Sequence, residues 1–161
     1  MTSWTHFGQG KFELKTKTAN IITDDEIKIG EFVLPSNGEY EVAGIQVEAL
    51  DGVTTIHAEG LNIAYLDKRK KPLVEKEIER INGSDILIIP VGGKDVFDAK
   101  QALEAIGQIE PKYIIPMHYE DINDFTKIVG GSQEQLEVFK IAKNQLSDDD
   151  QKRVVILSCK K

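Results

Sequence analysis

Cysteine is almost missing from this chain: Cys159 stands alone in 161 residues. That excludes an intrachain disulfide and any thiolate metal cluster. Histidine is scarce as well, at His6, His57 and His118, so no His-x-His pair occurs anywhere. No apolar run approaches the roughly 20 residues a membrane helix needs. The opening MTSWTHFGQG lacks the apolar stretch of a secretory signal, so a cytoplasmic protein with no membrane role is expected. Positive charge is in deficit, with 20 Lys and Arg against 27 Asp and Glu and a net charge of -7. Such a balance argues against nonspecific binding to nucleic acid or anionic lipid. The dinucleotide fingerprint Gly-x-Gly-x-x-Gly is absent, since GQGKF does not satisfy it. No Ser, His and Asp set suggests itself from spacing, and there is no repeat or low-complexity tract.

What is present is an ordinary globular composition, 40% hydrophobic and 29% charged, in a length suited to one domain over residues 1–161. The first half reads as short strands: KFELK, ANIIT, IKIGEFVL, GEYEV, GIQVEAL, VTTIHAE and LNIAYLD, with glycines near the breaks. These predict an antiparallel sheet. The second half changes period. PLVEKEIERING places Leu73, Val74, Ile78 and Ile81 on one helical stripe between Pro72 and Gly83. DILIIPV is a continuous apolar run, as in strands covered on both faces. Asp98 caps a second helix with stripe Ala99, Ala102, Leu103, Ile106 and Ile109. YIIPMH follows Pro111 as a strand. Ser132 with Gln135 predicts a capping box ahead of a third helix bearing Leu136, Phe139 and Ala142. RVVILSC closes the chain as a last strand. Alternating strands and helices imply parallel neighbours, so the fold class is α/β (α+β), an antiparallel first half and a β/α second half layered over one core.

The apolar strand YIIPM runs straight into His118, an unusual end for a buried strand. Three motifs, PSNGEYEVAGIQVEAL (35–50), SDILIIPVGG (84–93) and DAKQALEAIGQIEPKYIIPMHY (98–119), resemble the metallo-β-lactamase superfamily. The likeness is to its small lactonase-like branch of zinc-dependent hydrolases, and WTHFGQGKFELKTKTANIIT is similar to the family's first hairpin. The resemblance implies a layered sandwich, here reduced in size, with His118 as the last of the family's metal ligands. A ligand at the carboxyl end of a strand is held rigidly while the loop edge leaves room for metal and substrate.

The family's main cluster, His-x-His-x-Asp-His, is missing: TDDEIKIGEFVLPSN runs without a histidine where the resemblance places it. Asp51 stands where the third family histidine is expected, and Asp67 near the bridging aspartate in a displaced register. Catalytic zinc takes three protein ligands and a water position. Asp51, Asp67 and His118 together would make an oxygen-rich, weak site.

Each candidate has a plainer use. His118 is favoured as a structural residue inherited with its motif over a working ligand. His57 fits a strand surface, and His6 packs near Trp4 and Phe7. Asp67 can begin a turn or pair with Lys68 or Arg69. Gly92-Gly93 allows a tight turn, or backbone amides near an anion. Asp24, Asp25 and Glu26 form a solvated turn that could hold a hard cation loosely. Lys68-Arg69-Lys70-Lys71 reads as a solvated loop, and Cys159 as a core filler.

The expected function is therefore a noncatalytic binding or assembly module with a degenerate metal site, needing no cofactor. A homodimer formed through sheet edges is expected, with a small molecule or protein as further partner. The alternative is a divergent hydrolase of a small ester, lactone or phosphoester. That enzyme would use zinc or manganese held by His118 and Asp67, with His57 or a second chain completing the site.

Overall fold

The computed structural model describes residues 2–146, 149 and 151–160. The antiparallel half forms as the alternation requires. Strand β1 (Thr2–His6) pairs with β2 (Phe12–Lys15), β2 with β3 (Asn20–Thr23), β3 with β4 (Ile27–Ile29), and β4 with β5 (Phe32–Val33). The predicted run IKIGEFVL is thus two strands, broken where Gly30 takes φ 59. A second meander follows: β6 (Gly38–Val42), β7 (Ile45–Leu50), β8 (Val53–Ala58) and β9 (Leu61–Tyr65).

Beyond β9 the pairing turns parallel. Helix α1 (Glu75–Ile81) leads to β10 (Ile86–Pro90), helix α2 (Ala99–Ile109) to β11 (Tyr113–Met117), and both strands extend the β6–β9 sheet, parallel to β9. Asp98 caps α2 as expected, accepting a hydrogen bond from the Gln101 backbone N–H. The DILIIPV run is apolar throughout because both its faces are covered. Ile86 and Ile88 face the other sheet, while Leu87 and Ile89 face the helices.

Three expectations are corrected. Val74 is not on the α1 stripe: it precedes the helix at its N-cap and is 58% exposed. The helix predicted from Ser132 is absent. Helix α3 (Asn123–Val129) precedes two strands, β12 (Ser132–Leu136) and β13 (Val138–Ile141). Exposed Val138 and Lys140 alternate with buried Phe139 and Ile141, a period of two that outweighs the Ser-x-x-Gln cap signal. Cys159 is exposed, just past the last strand, β14 (Arg153–Leu157), instead of filling the core.

The result is a mixed α/β sandwich of two sheets and three helices among the described residues. The six-stranded sheet runs β13-β1-β2-β3-β4-β5 and the eight-stranded sheet β12-β14-β11-β10-β9-β8-β7-β6. Trp4, Phe12, Ile56, Ile88, Ile115 and Met117 are among the side chains filling the space between the sheets. Leu87, Ile89, Ile106, Ile109 and Phe125 pack the helices onto the outer face of the larger sheet. No helix among the described residues is long and apolar enough to cross a membrane.

Candidate functional site

The carboxyl ends of β9, β10 and β11 emerge side by side at one rim of the sandwich, a placement where open sheets tend to bind ligands. His118 directly follows β11 and Asp67 lies two residues past β9. Both sit in the left-handed backbone region, at φ 50 and φ 45. Non-glycine residues rarely hold that conformation unless their surroundings force it. For His118 the force is visible: Gly92 lies so close that a Cβ there would meet the His118 carbonyl oxygen at 2.1 Å. The glycine pair thus serves close backbone packing, with Gly93 making the turn at φ 74.

Around His118 the environment is crowded and dry on one side. Its backbone N–H donates to the Gln9 carbonyl at 3.3 Å. Its Nε2 atom is buried without a hydrogen-bond partner. Burial holds its pKa below the ordinary imidazole value, helped by the Lys68 and His6 charges and opposed by Asp24 and Asp25. Tyr65, buried at the end of β9, donates its hydroxyl to the Gly10 carbonyl at 2.8 Å. Burial and the nearby Asp67 push that phenol well above its usual range.

Asp67 is half-buried, and burial raises its carboxyl pKa, with Asp25 and Asp24 adding to the effect and Lys68 opposing it. Asp24, Asp25 and Lys68 act electrostatically on both His118 and Asp67. One strand, β10, separates the strands that carry them. The acidic turn is held by Lys68, whose ammonium donates to Asp25 at 2.6 Å and lowers that carboxyl's pKa. Arg69 and Lys70 also meet carboxylates. Arg69 makes a two-pronged contact with Glu77 at 2.7 and 2.8 Å, and Lys70 lies 3.5 Å from Asp95.

The other candidates lie elsewhere. His57 is exposed on β8, with its Nδ1 2.7 Å from the Asn62 side-chain oxygen. His6 is buried, stacked on Phe12 with ring centroids 4.3 Å apart. Asp51 sits in the β7–β8 turn, where its carboxylate and backbone N–H both engage Asn37. A groove of about 280 Å³ follows the rim past Gly92, Gly93, His118 and Tyr119. A larger cleft of about 630 Å³ opens away from it, between the end of α1 and strands β6 to β9, around His57, Glu39, Glu41 and Arg80. The rim carries the candidate chemistry, although its groove is the smaller.

Sequence reasoning did not anticipate Gly10, Gln9, Tyr65 and Thr23 as the wall of the His118 site. The paired glycines of FGQGK were the available signal.

A family description, beta-lactamase superfamily domain, matches residues 21–118, more than half of the chain. This chain belongs to that superfamily. It is similar to a metal-dependent hydrolase of Pyrococcus furiosus, 30% identical over 104 residues, which make up 59% of this chain and 43% of that protein. A metal-dependent hydrolase of Carboxydothermus hydrogenoformans is 48% identical over 44 residues, 27% of this chain and 20% of that one. The chain thus spans less than half the length of these curated relatives. Among solved structures, a proposed zinc-dependent hydrolase of the metallo-β-lactamase superfamily from Thermotoga maritima superposes with a TM-score of 0.84. The match covers 98% of this chain and 100% of that one at 23% identity, a likeness of fold.

The expectation that no cofactor is needed is overturned by these comparisons. The relatives are named metal-dependent hydrolases and the fold neighbour a zinc-dependent one, which points to a metal. Tested against the donors present, a three-ligand catalytic ion does not fit. Among the described residues no three His, Cys, Asp or Glu side chains converge. One donor does fit: the partnerless Nε2 of His118 is the chemistry of a single metal ligand.

Proposed function

We propose that this chain is a noncatalytic binding module of the superfamily, with His118 retained as a single-histidine anchor at the rim. The observation that carries the reading is the donor count given above. Zinc hydroxide chemistry needs three protein ligands and an open position, and His118 supplies one nitrogen. A metal anchored there would act as a Lewis acid toward whatever it held. The chain's own contribution is to fix the imidazole through the tight seat of the His118 backbone on Gly92. Small-molecule or protein ligands would enter along the groove beside it.

A second reading, a divergent metal-dependent hydrolase, is favoured by the unpartnered His118 nitrogen and by the relatives' names. The two separate in one experiment. The chain is loaded with zinc or manganese, its metal content is counted beside His118→Ala, and esters, lactones and phosphoesters are screened with and without chelator. Metal uptake that depends on His118, without turnover above the chelated control, is expected. Turnover lost both in His118→Ala and on chelation would overturn the noncatalytic reading.

Self-association is part of the same proposal. Strand β5 ends the smaller sheet with Phe32 and Val33 exposed, and Phe32 lies 6.0 Å from the Tyr40 ring on the edge strand β6 of the larger. Unpaired edges of this kind invite a second copy. Sedimentation velocity over a wide concentration range is expected to show a dimer, and a strict monomer would remove this part.

A further inference from the structure

We infer that the five-residue β1–β2 loop, Phe7–Lys11, is a latch closed over His118, so that any ligand for its Nε2 atom binds only when the loop lifts. The inference rests on the reading of His118 as an anchor and adds a gate to it.

The closed state is defined by what faces the imidazole. A Cβ built on Gly10 would lie 2.5 Å from His118 Nε2, 3.0 Å from its Cε1 and 2.9 Å from the Tyr65 hydroxyl. The nitrogen therefore looks at the α-carbon of Gly10, which explains why it is buried and without a partner. Gly10 does not have a left-handed backbone that would demand glycine. Glycine is needed at this position because nothing larger fits beneath the loop.

The contacts that hold the latch come from outside it. Tyr65 and Thr23 both donate hydroxyls to the Gly10 carbonyl, at 2.8 and 3.1 Å. The His6 Nε2 and the His118 backbone N–H both donate to the Gln9 carbonyl, at 2.8 and 3.3 Å. Both His6 ring nitrogens face carbonyl oxygens, Nε2 that of Gln9 at 2.8 Å and Nδ1 that of Leu157 at 3.4 Å, and Nε2 makes the shorter contact. The loop also closes on itself through Phe7 N–H to Lys11 O and Lys11 N–H to Gly8 O, so it can lift as a unit. In the closed form Gln9 is held at φ 49 and Gly8 at φ 109.

The energetic logic is that of a two-state element. Four hydrogen bonds to two carbonyls favour closure, while the desolvated nitrogen and the strained Gln9 backbone favour opening. A ligand that bonds Nε2 binds the open form alone and shifts the balance toward it.

Carbethoxylation of histidine by diethylpyrocarbonate, followed residue by residue by mass spectrometry on the chelated protein, tests this without reference to activity. The exposed His57 serves as the internal standard. In the wild type His118 is expected to react about tenfold or more slowly than His57, as befits a group reached through local opening. Gly10→Ala should raise the His118 rate to near that of His57. Tyr65→Phe combined with Thr23→Val removes two anchors without adding a heavy atom, and is expected to raise it about tenfold. This second variant carries the test if Gly10→Ala fails to fold. A wild-type His118 as reactive as His57, or a folded variant with no acceleration, overturns the latch. Calorimetric zinc titration of the same proteins separates the two ideas. Acceleration with no His118-dependent zinc uptake in any variant supports the latch and removes the anchor reading.

Discussion

The two sides of the rim are built to different standards. On the β10–β11 side, Ile88, Ile89, Ile114, Ile115 and Met117 are fully buried, and the Gly92 α-carbon is pressed against the His118 carbonyl. On the β3–β4 side, Asp24, Asp25 and Glu26 are exposed, and the Lys68–Asp25 contact bridges two solvated side chains. The first side ends in His118, and the second carries carboxylates and no histidine. The difference shows that the segment ending in His118 is fixed by packing. A segment that fills two cores cannot change without unfolding the sheet, whereas solvated loop residues can be exchanged at little cost to the fold.

That contrast is broken or sharpened most strongly by substitutions on its two sides. Ile115→Ala, which empties a fully buried site between the sheets, is expected to cost about 3 kcal/mol. Gly92→Ala should cost about 2 kcal/mol, because the new methyl would lie 2.1 Å from the His118 carbonyl and 2.7 Å from the Tyr119 α-carbon. Both atoms belong to backbone that cannot swing aside. Asp24→Ala and Glu26→Ala should leave the urea midpoint unchanged. If Gly92→Ala unfolds no earlier than Glu26→Ala, the β10–β11 side has no special packing demand and the comparison collapses.

The same contrast explains what could be read from the sequence. Nearly every strand of the antiparallel half was legible, because each alternates apolar and polar residues between turn glycines. The parallel strands β10 and β11 were legible as continuous apolar runs. Residues 132–141 were misread because Ser132 and Gln135 form a helix-cap pattern by composition, and helix α3 ahead of them was not anticipated. Their neighbours β14 and β1 decide the outcome as strands, through pairing over long sequence separations. At the site, His118 stood out by its abrupt position after YIIPM, and Asp67 by rough register. The wall formed by Gly10, Thr23 and Tyr65 was signalled only by the glycines of FGQGK, since three separate segments meet there only after both sheets have packed. Cys159 ended an apolar run and so looked internal, although the strand that buries its neighbours stops at Leu157.

The titration of His118 gives a smaller but direct probe of the packed side. Its folded pKa lies below the ordinary imidazole value, chiefly through burial. As pH falls below about 6.5 the unfolded chain takes up a proton that the folded chain refuses, so stability drops until the folded pKa is passed. Above that window the group contributes nothing. In chelated protein, urea midpoints are expected to decline between neutral and mildly acidic pH, and the decline should shrink in His118→Gln. An identical slope in the variant would assign the loss to other groups and leave His118 solvated.

A near-zero effect on stability is expected for one of two adjacent residues of the basic run and not for the other. Arg69 and Glu77 are 14% and 13% exposed in their side chains, and Glu77 also accepts the Val74 N–H that starts α1. Arg69→Ala therefore strands a shielded carboxylate and should cost about 2 kcal/mol. Lys68, one residue earlier, meets Asp25 where both side chains are mostly solvated, at 58% and 77% exposure. Solvent screening makes such a pair nearly neutral to stability, so Lys68→Ala should leave the urea midpoint in place. Its visible consequence is electrostatic: the Asp25 carboxyl loses the partner that lowers its pKa and should titrate closer to its ordinary range by NMR. A midpoint that falls as far for Lys68→Ala as for Arg69→Ala would make the solvated side of the rim structural too. The contrast between a packed side that fixes His118 and a solvated side free to vary would then fall.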